Sequence, residues 1–151
     1  MPETFVLTWD ALDDLIARLA VAVGRDHDLV LAITRGGLVP AGMLAYRLDL
    51  REILVAGVVF YRPDGGTHAE PQVHHFPEAD LLAGRRILVV DEVWETGETM
   101  TEVLARVRAA GGEPVSAVIH YKPGRSRVAG RPDYWAATIE DWVTYPYKAG
   151  G

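Results

Sequence analysis

The sequence predicts an α/β domain in which a doubly wound, mostly parallel sheet is flanked by helices on both faces. Apolar runs rich in β-branched residues, typical of buried parallel strands, occur at 29–33, 53–60, 87–90 and 115–121. Segments with apolar residues at helical spacing lie between these runs, and glycine- and threonine-rich turns follow several of them. Alternating strands and helices favour right-handed β-α-β units, and therefore a mostly parallel sheet.

The first half of the chain contains two predicted helices. Thr8 is placed to cap a helix that Gly24 ends, and its apolar residues recur at helical spacing: Leu12, Leu15, Ile16, Leu19 and Val23. The strand 29–33 follows. Pro40 suits the first turn of a second helix, which ends near Leu48 and leads to the strand 53–60.

Residues 62–80 predict a flexible loop. The segment is polar, shows no apolar period and contains several residues that break regular structure: Pro63, Gly65, Gly66, Pro71 and Pro77. A structureless connection of this length in a small domain is usually functional or disordered. We therefore expect a lid over the carboxyl edge of the sheet.

The second half contains two further strands and one predicted helix. The strand 87–90 precedes a helix with apolar residues at Met100, Val103, Leu104 and Val107, which Gly111 and Gly112 end. After the strand 115–121 the chain becomes irregular, and aromatic residues concentrate near its end: Trp135, Trp142, Tyr145 and Tyr147. We interpret residues 122–151 as a small carboxyl-terminal hood.

Composition limits the possible classes of protein. A chain of 151 residues that is 49% hydrophobic fits a single domain, residues 1–151. The net charge of −6 offers no basic field, so we expect no nucleic-acid partner. Cysteine is absent, which excludes disulfides and thiolate chemistry. With no signal-peptide pattern at the start and no apolar run of membrane-spanning length, we expect a cytoplasmic protein without a membrane partner.

The segment 87–100 carries the strongest chemical signal. Asp91 and Glu92 stand at the carboxyl end of a buried strand, where ligands bind in open α/β sheets. Such carboxylates can accept hydrogen bonds from vicinal hydroxyls or bind Mg²⁺. The following residues, Glu95 to Thr99, open a helix whose free N–H groups can hold a phosphate, with Gly97 permitting close approach. The combination predicts a site for a phosphorylated sugar.

Two more segments fall at the same predicted edge of the sheet. Residues 34–40, Thr-Arg-Gly-Gly-Leu-Val-Pro, also join a strand to a helix and predict a second anion site. Lys122 follows a later strand, and Trp142 lies within the aromatic end of the chain. An indole can stack on a flat heterocycle and a lysine can donate to a carbonyl oxygen, which predicts a site for a 6-oxopurine.

Together these segments resemble the type I phosphoribosyltransferases. Residues 91–99 are similar to the family's signature for 5-phosphoribosyl 1-pyrophosphate (PRPP), with Glu92 as its second acid and Glu95 in place of the usual aspartate. Residues 35–40 match the Arg-Gly-Gly-x-x-Pro form of purine-specific members, where the loop often contains a strained or cis peptide. The segments at Lys122 and Trp142 are similar to those of xanthine-guanine and hypoxanthine-guanine enzymes. The resemblance implies the type I phosphoribosyltransferase fold.

The resemblance also implies roles for individual residues. Those expected to bind PRPP and its phosphates are Arg35, Gly36, Gly37, Glu95, Thr96, Gly97, Glu98 and Thr99. Asp91 and Glu92 would hold ribose hydroxyls or Mg²⁺, and Glu95 would accept or relay the proton of the base. Lys122 would meet the purine O6, Trp142 would stack on the ring, and the Val143 backbone would read the 2-position. We expect a Mg²⁺-dependent purine phosphoribosyltransferase, acting on PRPP and a purine base as a homodimer or homotetramer.

Two alternatives remain open at this stage. A phosphoribosyltransferase could use a pyrimidine acceptor, although the Lys122 and Trp142 segments argue against it. The chain could also be a PRPP-binding regulator that has this fold but does not catalyse the transfer. Glutamate occupies two acid positions of the signature, Glu92 and Glu95, and at Glu95 it replaces the usual aspartate. A phosphate-binding receiver domain would leave the second anion loop unexplained. We expect the histidines to have no metal-binding role, with His68, His74 and His75 in the loop 62–80.

Overall fold

The computed structural model describes residues 4–63, 65 and 69–148. In chain order the elements are β1 (Thr4–Val6), α1 (Trp9–Val23), β2 (Leu29–Ile33), α2 (Leu38–Leu48), β3 (Ile53–Tyr61), β4 (Glu70–His75), β5 (Arg86–Trp94), α3 (Glu98–Ala109), β6 (Glu113–Tyr121), β7 (Tyr134–Thr138) and β8 (Trp142–Thr144). Short 3₁₀ turns at Ala79–Leu81 and Pro123–Arg125 precede β5 and β7. Within these residues, no helix has the length and apolar character needed to cross a membrane.

The main sheet has the strand order β4-β3-β2-β5-β6-β7 among the described residues. The neighbouring strands from β3 to β7 are parallel, and β4 is antiparallel at one edge. Every residue of β2 is buried, as expected for a central strand covered on both faces. This arrangement confirms the predicted doubly wound, mostly parallel sheet.

The helices cover both faces of the sheet. Helices α1 and α2 pack on one face, against Val30 and Val90, and α3 packs on the other, against Leu31 and Val89. The predicted start of α1 is confirmed, because the Thr8 Oγ1 accepts a hydrogen bond from the Ala11 N–H at 3.1 Å. At the other end Gly24 adopts φ 74°, a conformation that costs glycine little.

The predicted loop at 62–80 is in part a β-strand, which corrects the sequence interpretation. Strand β4 pairs antiparallel with β3, with Val58 opposite Val73, and it includes Pro71, His74 and His75. All six of its residues are exposed, so the strand needs no buried face and shows no apolar alternation. Pro71 is tolerated because β4 lies at the edge of the sheet. His68 lies outside the described residues.

The carboxyl-terminal segment also differs from the prediction. Residues 134–138, expected to be irregular, form β7 beside β6 in the main sheet, with Trp135 opposite Val118. The hood is therefore smaller than residues 122–151. It contains β8, which pairs with β1 at the start of the chain, Phe5 opposite Val143. Strand β1 was not predicted because its three residues are too few to show a period.

Candidate functional site

The two adjacent acids near the end of β5 face different surroundings. The strand extends to Trp94, further than the predicted 87–90, so Asp91 and Glu92 lie within it. Successive side chains of a strand point to opposite faces. Accordingly, Asp91 lines a cavity with Thr96, Gly97 and Thr99, whereas Glu92 lines another with residues of the hood. The first cavity joins a carboxylate to a helix start, a combination suited to a sugar phosphate.

The loop before α3 is tightly packed at a glycine. Gly97 has φ 84°, and a Cβ there would lie 2.4 Å from the Trp94 Nε1, so a larger residue would require the indole to move. The Thr96 Oγ1 accepts a hydrogen bond from the Glu98 N–H at 3.2 Å. Helix α3 then begins at Glu98, and Thr99 and Met100 of its first turn line this cavity. The N–H groups at a helix start have no partner within the helix, so this end of α3 is suited to an anion.

The Thr34–Pro40 loop turns tightly against the end of β5. The peptide bond between Thr34 and Arg35 is cis. A Cβ on Gly37 would lie 2.4 Å from the Val90 carbonyl oxygen and 2.6 Å from that of Ile33. Glycine is therefore required by close backbone approach, and the exposed Arg35 is left at the carboxyl edge of the sheet. The fold brings both predicted anion loops to one edge, on the neighbouring strands β2 and β5.

Lys122 and Trp142 lie in one cavity, which Glu95 and Val143 also line. The Lys122 Nζ lies 5.7 Å from the centre of the Trp142 ring and 3.6 Å from the Glu95 Oε1. Lys122 is buried at 4% exposure, and Trp142 is 61% exposed. The cavity therefore combines a fixed cation with an indole whose face is available to a planar ring.

The carboxyl groups differ in their electrostatics. Burial, reinforced by the charge of Glu92, raises the pKa of Asp91 to about 7, although the Glu92 N–H donates to the Asp91 Oδ1 at 2.7 Å. Both oxygens of Glu92 are engaged by the end of the chain. The Tyr147 hydroxyl donates to Oε1 at 2.7 Å, and the Lys148 Nζ donates to Oε2 at 2.8 Å.

Several site residues were not predicted from the sequence. Tyr147 and Lys148 contact Glu92, and Arg62 pairs with Glu98 at 2.9 Å. His120, which is buried, shares a 2.8 Å hydrogen bond with the Tyr145 hydroxyl, and burial lowers the pKa of His120 to about 4. These contacts join residues far apart in the chain, and the aromatic cluster at residues 142–147 was the available signal. His75 contacts the Thr34 Oγ1 at 3.0 Å.

The fit of Mg²⁺ to these residues is partial. The described residues contain no group of three or more histidine, aspartate or glutamate side chains placed to hold a metal ion. Mg²⁺ commonly uses one or two protein carboxylates and takes its other oxygens from water and substrate phosphates. Within the described part of the chain, the Asp91 Oδ2 makes no hydrogen bond, so Asp91 has a free oxygen for such an ion.

Comparisons with known proteins agree with this geometry. The model of the phosphoribosyl transferase domain family matches residues 6–147. The chain is 32% identical to a xanthine-guanine phosphoribosyltransferase from Gluconobacter oxydans, covering 93% of this chain and 82% of that protein. A purine phosphoribosyltransferase structure from Pyrococcus horikoshii superposes with a TM-score of 0.82 and 30% identity, covering 95% and 93% of the two chains.

A second solved structure carries a bound nucleotide. It is a hypothetical protein from Neisseria gonorrhoeae with bound ppGpp, 28% identical, which superposes with a TM-score of 0.85 and covers 99% of this chain and 92% of that one. These similarities extend over both predicted anion loops and the hood. With the family match across nearly the whole chain, they show that this protein belongs to the phosphoribosyltransferase family and has the type I phosphoribosyltransferase fold.

Proposed function

We propose that this protein transfers the 5-phosphoribosyl group of PRPP to a 6-oxopurine, yielding the purine nucleotide and pyrophosphate in purine salvage. The observation that carries the proposal is the placement of three parts at one sheet edge. The loops at Gly37 and Gly97 follow neighbouring strands, and the cavity containing Lys122 and Trp142 adjoins them. A phosphorylated sugar and a planar base could therefore bind side by side.

The relatives favour a purine over other acceptors. The Gluconobacter and Pyrococcus proteins are named as xanthine-guanine and purine phosphoribosyltransferases. The ppGpp bound to the gonococcal protein contains guanine, which is itself a 6-oxopurine. We infer the same class of base here because Lys122 can donate to a ring carbonyl oxygen while Trp142 stacks on the ring.

The two predicted anion loops would each bind a different phosphate group of PRPP. We assign its 5-phosphate to the Thr96–Thr99 loop, where a helix start and two threonine hydroxyls face one cavity with Gly97. The pyrophosphate is assigned to the loop that contains Arg35, Gly36 and Gly37. The Arg35 guanidinium and the backbone N–H groups of Arg35 and Gly36 can hold the departing charge, whereas the Gly37 N–H donates to the Ile33 carbonyl oxygen at 2.8 Å. Asp91 lies between the loops and would hold ribose hydroxyls or bound Mg²⁺.

Catalysis in this arrangement is mainly electrostatic. The purine nitrogen bonds to C1 of the ribose as the bond from C1 to the pyrophosphate oxygen breaks, and positive charge develops on the ribose. When bound, Mg²⁺ would supply charge stabilisation for the leaving group. Glu95 can accept the proton of the incoming base, and Lys122 at 3.6 Å helps to keep that carboxylate near the base cavity.

The deciding experiment is a turnover screen. The protein is incubated with PRPP, Mg²⁺ and one base at a time: guanine, hypoxanthine, xanthine, adenine, uracil or orotate, with nucleotide and pyrophosphate measured separately. We expect turnover with at least one 6-oxopurine and little with the pyrimidines. Asp91→Asn serves as the impaired control, because it keeps the shape of the side chain and removes its charge.

Two other outcomes would replace the proposal. Preferred turnover of uracil or orotate would identify a pyrimidine phosphoribosyltransferase. A folded protein that binds PRPP by calorimetry but turns over none of the bases would instead be a regulator. Binding alone does not separate a regulator from an enzyme, so product formation is the necessary measurement.

A further inference from the structure

The carboxylate of Glu92 is held by residues near the end of the chain. Tyr147 donates to one oxygen at 2.7 Å and Lys148 to the other at 2.8 Å. Glu92 is 7% exposed, so solvent weakens these charge-assisted contacts little. The side chain thus has a protein partner on each oxygen, whereas Asp91 keeps one oxygen without a hydrogen bond among the described residues.

The position of Glu92 also separates it from the predicted sugar-phosphate cavity. Asp91 lines that cavity, together with Thr96 and Thr99. Glu92 instead lines the base cavity with Lys122 and Lys148. A metal ion held by Asp91 inside that cavity could therefore gain Glu92 as a second ligand only if Glu92 left both of its partners and moved to the other side of the strand.

The same contacts reach the predicted pyrophosphate loop. The Glu92 Oε2 would lie 3.1 Å from a Cβ on Gly36, so this carboxylate packs directly against that residue. The Tyr147 hydroxyl is also 3.4 Å from the Gly36 carbonyl oxygen. Because the Lys148 Nζ contacts the same Oε2, its positive charge stands beside the loop, and the side chain is still 48% exposed.

We propose that Glu92 is a positioning residue rather than a metal ligand. It fixes Tyr147 and Lys148 against Gly36, and the Lys148 ammonium serves as a built-in cation for the pyrophosphate group of the substrate. This inference rests on the proposed function, because it takes the loop around Gly36 as the pyrophosphate site. Asp91 is then the strand acid that receives the metal ion.

The first test measures inorganic pyrophosphate binding by calorimetry in the presence of a chelator, so that only protein charges contribute. Lys148→Met removes the ammonium and keeps much of the side-chain length. We expect it to lower the affinity at least tenfold, while Lys148→Arg stays within about threefold of the unchanged protein. Arg108→Met is the matched control, since it removes one exposed positive charge from the last turn of α3, at the end of the helix away from the predicted phosphate loop, and it should bind normally. Equal affinity of Lys148→Met and the control would overturn the proposal.

The second test concerns the metal and needs no turnover. Binding of Mn²⁺ in the presence of PRPP is measured by electron paramagnetic resonance for Glu92→Gln and Asp91→Asn. We expect Asp91→Asn to lose at least tenfold in Mn²⁺ affinity and Glu92→Gln to remain within about threefold. Equal losses would show that Glu92 is a ligand. If Glu92→Gln does not fold, the Lys148→Met measurement still decides the role of the cation.

The results also separate this inference from the proposed function. If the protein binds pyrophosphate through Lys148 but converts no base, the role of Lys148 as a built-in cation stands and the proposed transferase activity is rejected. If the protein is an active enzyme but Lys148→Met leaves the pyrophosphate affinity and the KM for PRPP unchanged, only the role of Lys148 as a built-in cation is rejected.

Discussion

The Nζ of Lys122 lies 5.7 Å from the centre of the Trp142 ring, although the two residues are positioned by different sheets. Lys122 follows β6 of the main sheet, and Trp142 begins β8 of the hood. The cation is buried and the indole is exposed, so a planar ligand can cover the indole while its edge meets the lysine. This geometry leads to separate predictions for the two residues.

Trp142→Ala should weaken binding of the base much more than binding of PRPP. Base stacking on an aromatic side chain contributes about 1–3 kcal/mol, which corresponds to roughly a 5- to 150-fold rise in the KM for the base. Steady-state kinetics with each substrate varied in turn measures the split. Tyr46→Ala, which removes a 92% exposed aromatic residue from α2, is the control. Equal increases for both substrates would indicate that the indole has a structural role.

Lys122→Met should distinguish bases by their 6-substituent. Only a 6-oxopurine offers a carbonyl acceptor to the ammonium, so we expect its affinity to fall roughly tenfold, about 1.4 kcal/mol, while adenine binding changes little. Equilibrium dialysis with guanine and adenine makes the comparison in one variant. A matching loss for adenine would place Lys122 outside the recognition of O6.

Asp91→Asn should reduce turnover on the order of 10²-fold or more, since the charge that ribose and metal require is removed. In the unchanged protein, kcat/KM for PRPP should also fall as the pH becomes acidic. The pKa of Asp91 is about 7, so the carboxylate is lost as the pH falls through that value. A profile of kcat/KM between pH 5.5 and 9 tests this. Full activity at pH 5.5 would contradict the assignment.

The same substitution should stabilise the free protein at alkaline pH. The folded-state pKa of Asp91 lies above its ordinary value of 3.8, so the folded protein holds the proton more tightly than the unfolded chain. Its contribution to the free energy of unfolding therefore decreases as the pH rises from about 4 to about 7. We expect Asn at this position to add about 1–3 kcal/mol at pH 8 and less at pH 5, measured by urea denaturation. Destabilisation at pH 8 would contradict this account.

Gly37→Ala should destabilise the protein because the new Cβ would meet two backbone carbonyl oxygens within 2.6 Å. The cost is expected to be about 2 kcal/mol or more, with a loss of PRPP affinity if the loop shifts to relieve the contact. Gly42→Ala is the matched control: it lies in α2 with no atom within 4 Å of the added Cβ, and it should stabilise the helix by roughly 0.5–1 kcal/mol. Equal effects of the two substitutions would mean that the loop tolerates a side chain.

Residues 69–80 should become more protected when both substrates bind. Arg62, at the start of the predicted lid, pairs with Glu98 at the beginning of α3, which gives the segment a contact with the predicted phosphate loop. Closure over that loop would exclude water from the ribose cation. Amide hydrogen exchange with PRPP, Mg²⁺ and an unreactive purine analogue should slow β4, with β7 at the opposite edge as the internal control. Unchanged exchange in β4, with protection at Glu95 to Thr99, would show that the segment is only a connection.

The sequence alone determined the features that a few neighbouring residues encode. The continuous apolar run of β2 predicted a buried parallel strand, and Thr8 predicted the start of α1. Gly37 and Gly97 marked the two tight loops that we predict to bind anions, because close backbone approach or a positive φ restricts the residue at these positions. Strand period, helix caps and glycine turns are local, so they can be recognised without knowing the path of the chain.

Only the tertiary structure decided what distant segments do to one another. Strand β4 was not predicted because an exposed edge strand needs no apolar pattern. Strand β1 forms by pairing with β8. The surroundings of Asp91 and Glu92 differ because the two side chains face different cavities, and Glu92 contacts Tyr147 and Lys148, which are distant in sequence. Such contacts depend on how strands are ordered and how the chain returns across the sheet, which a local pattern of residues does not specify.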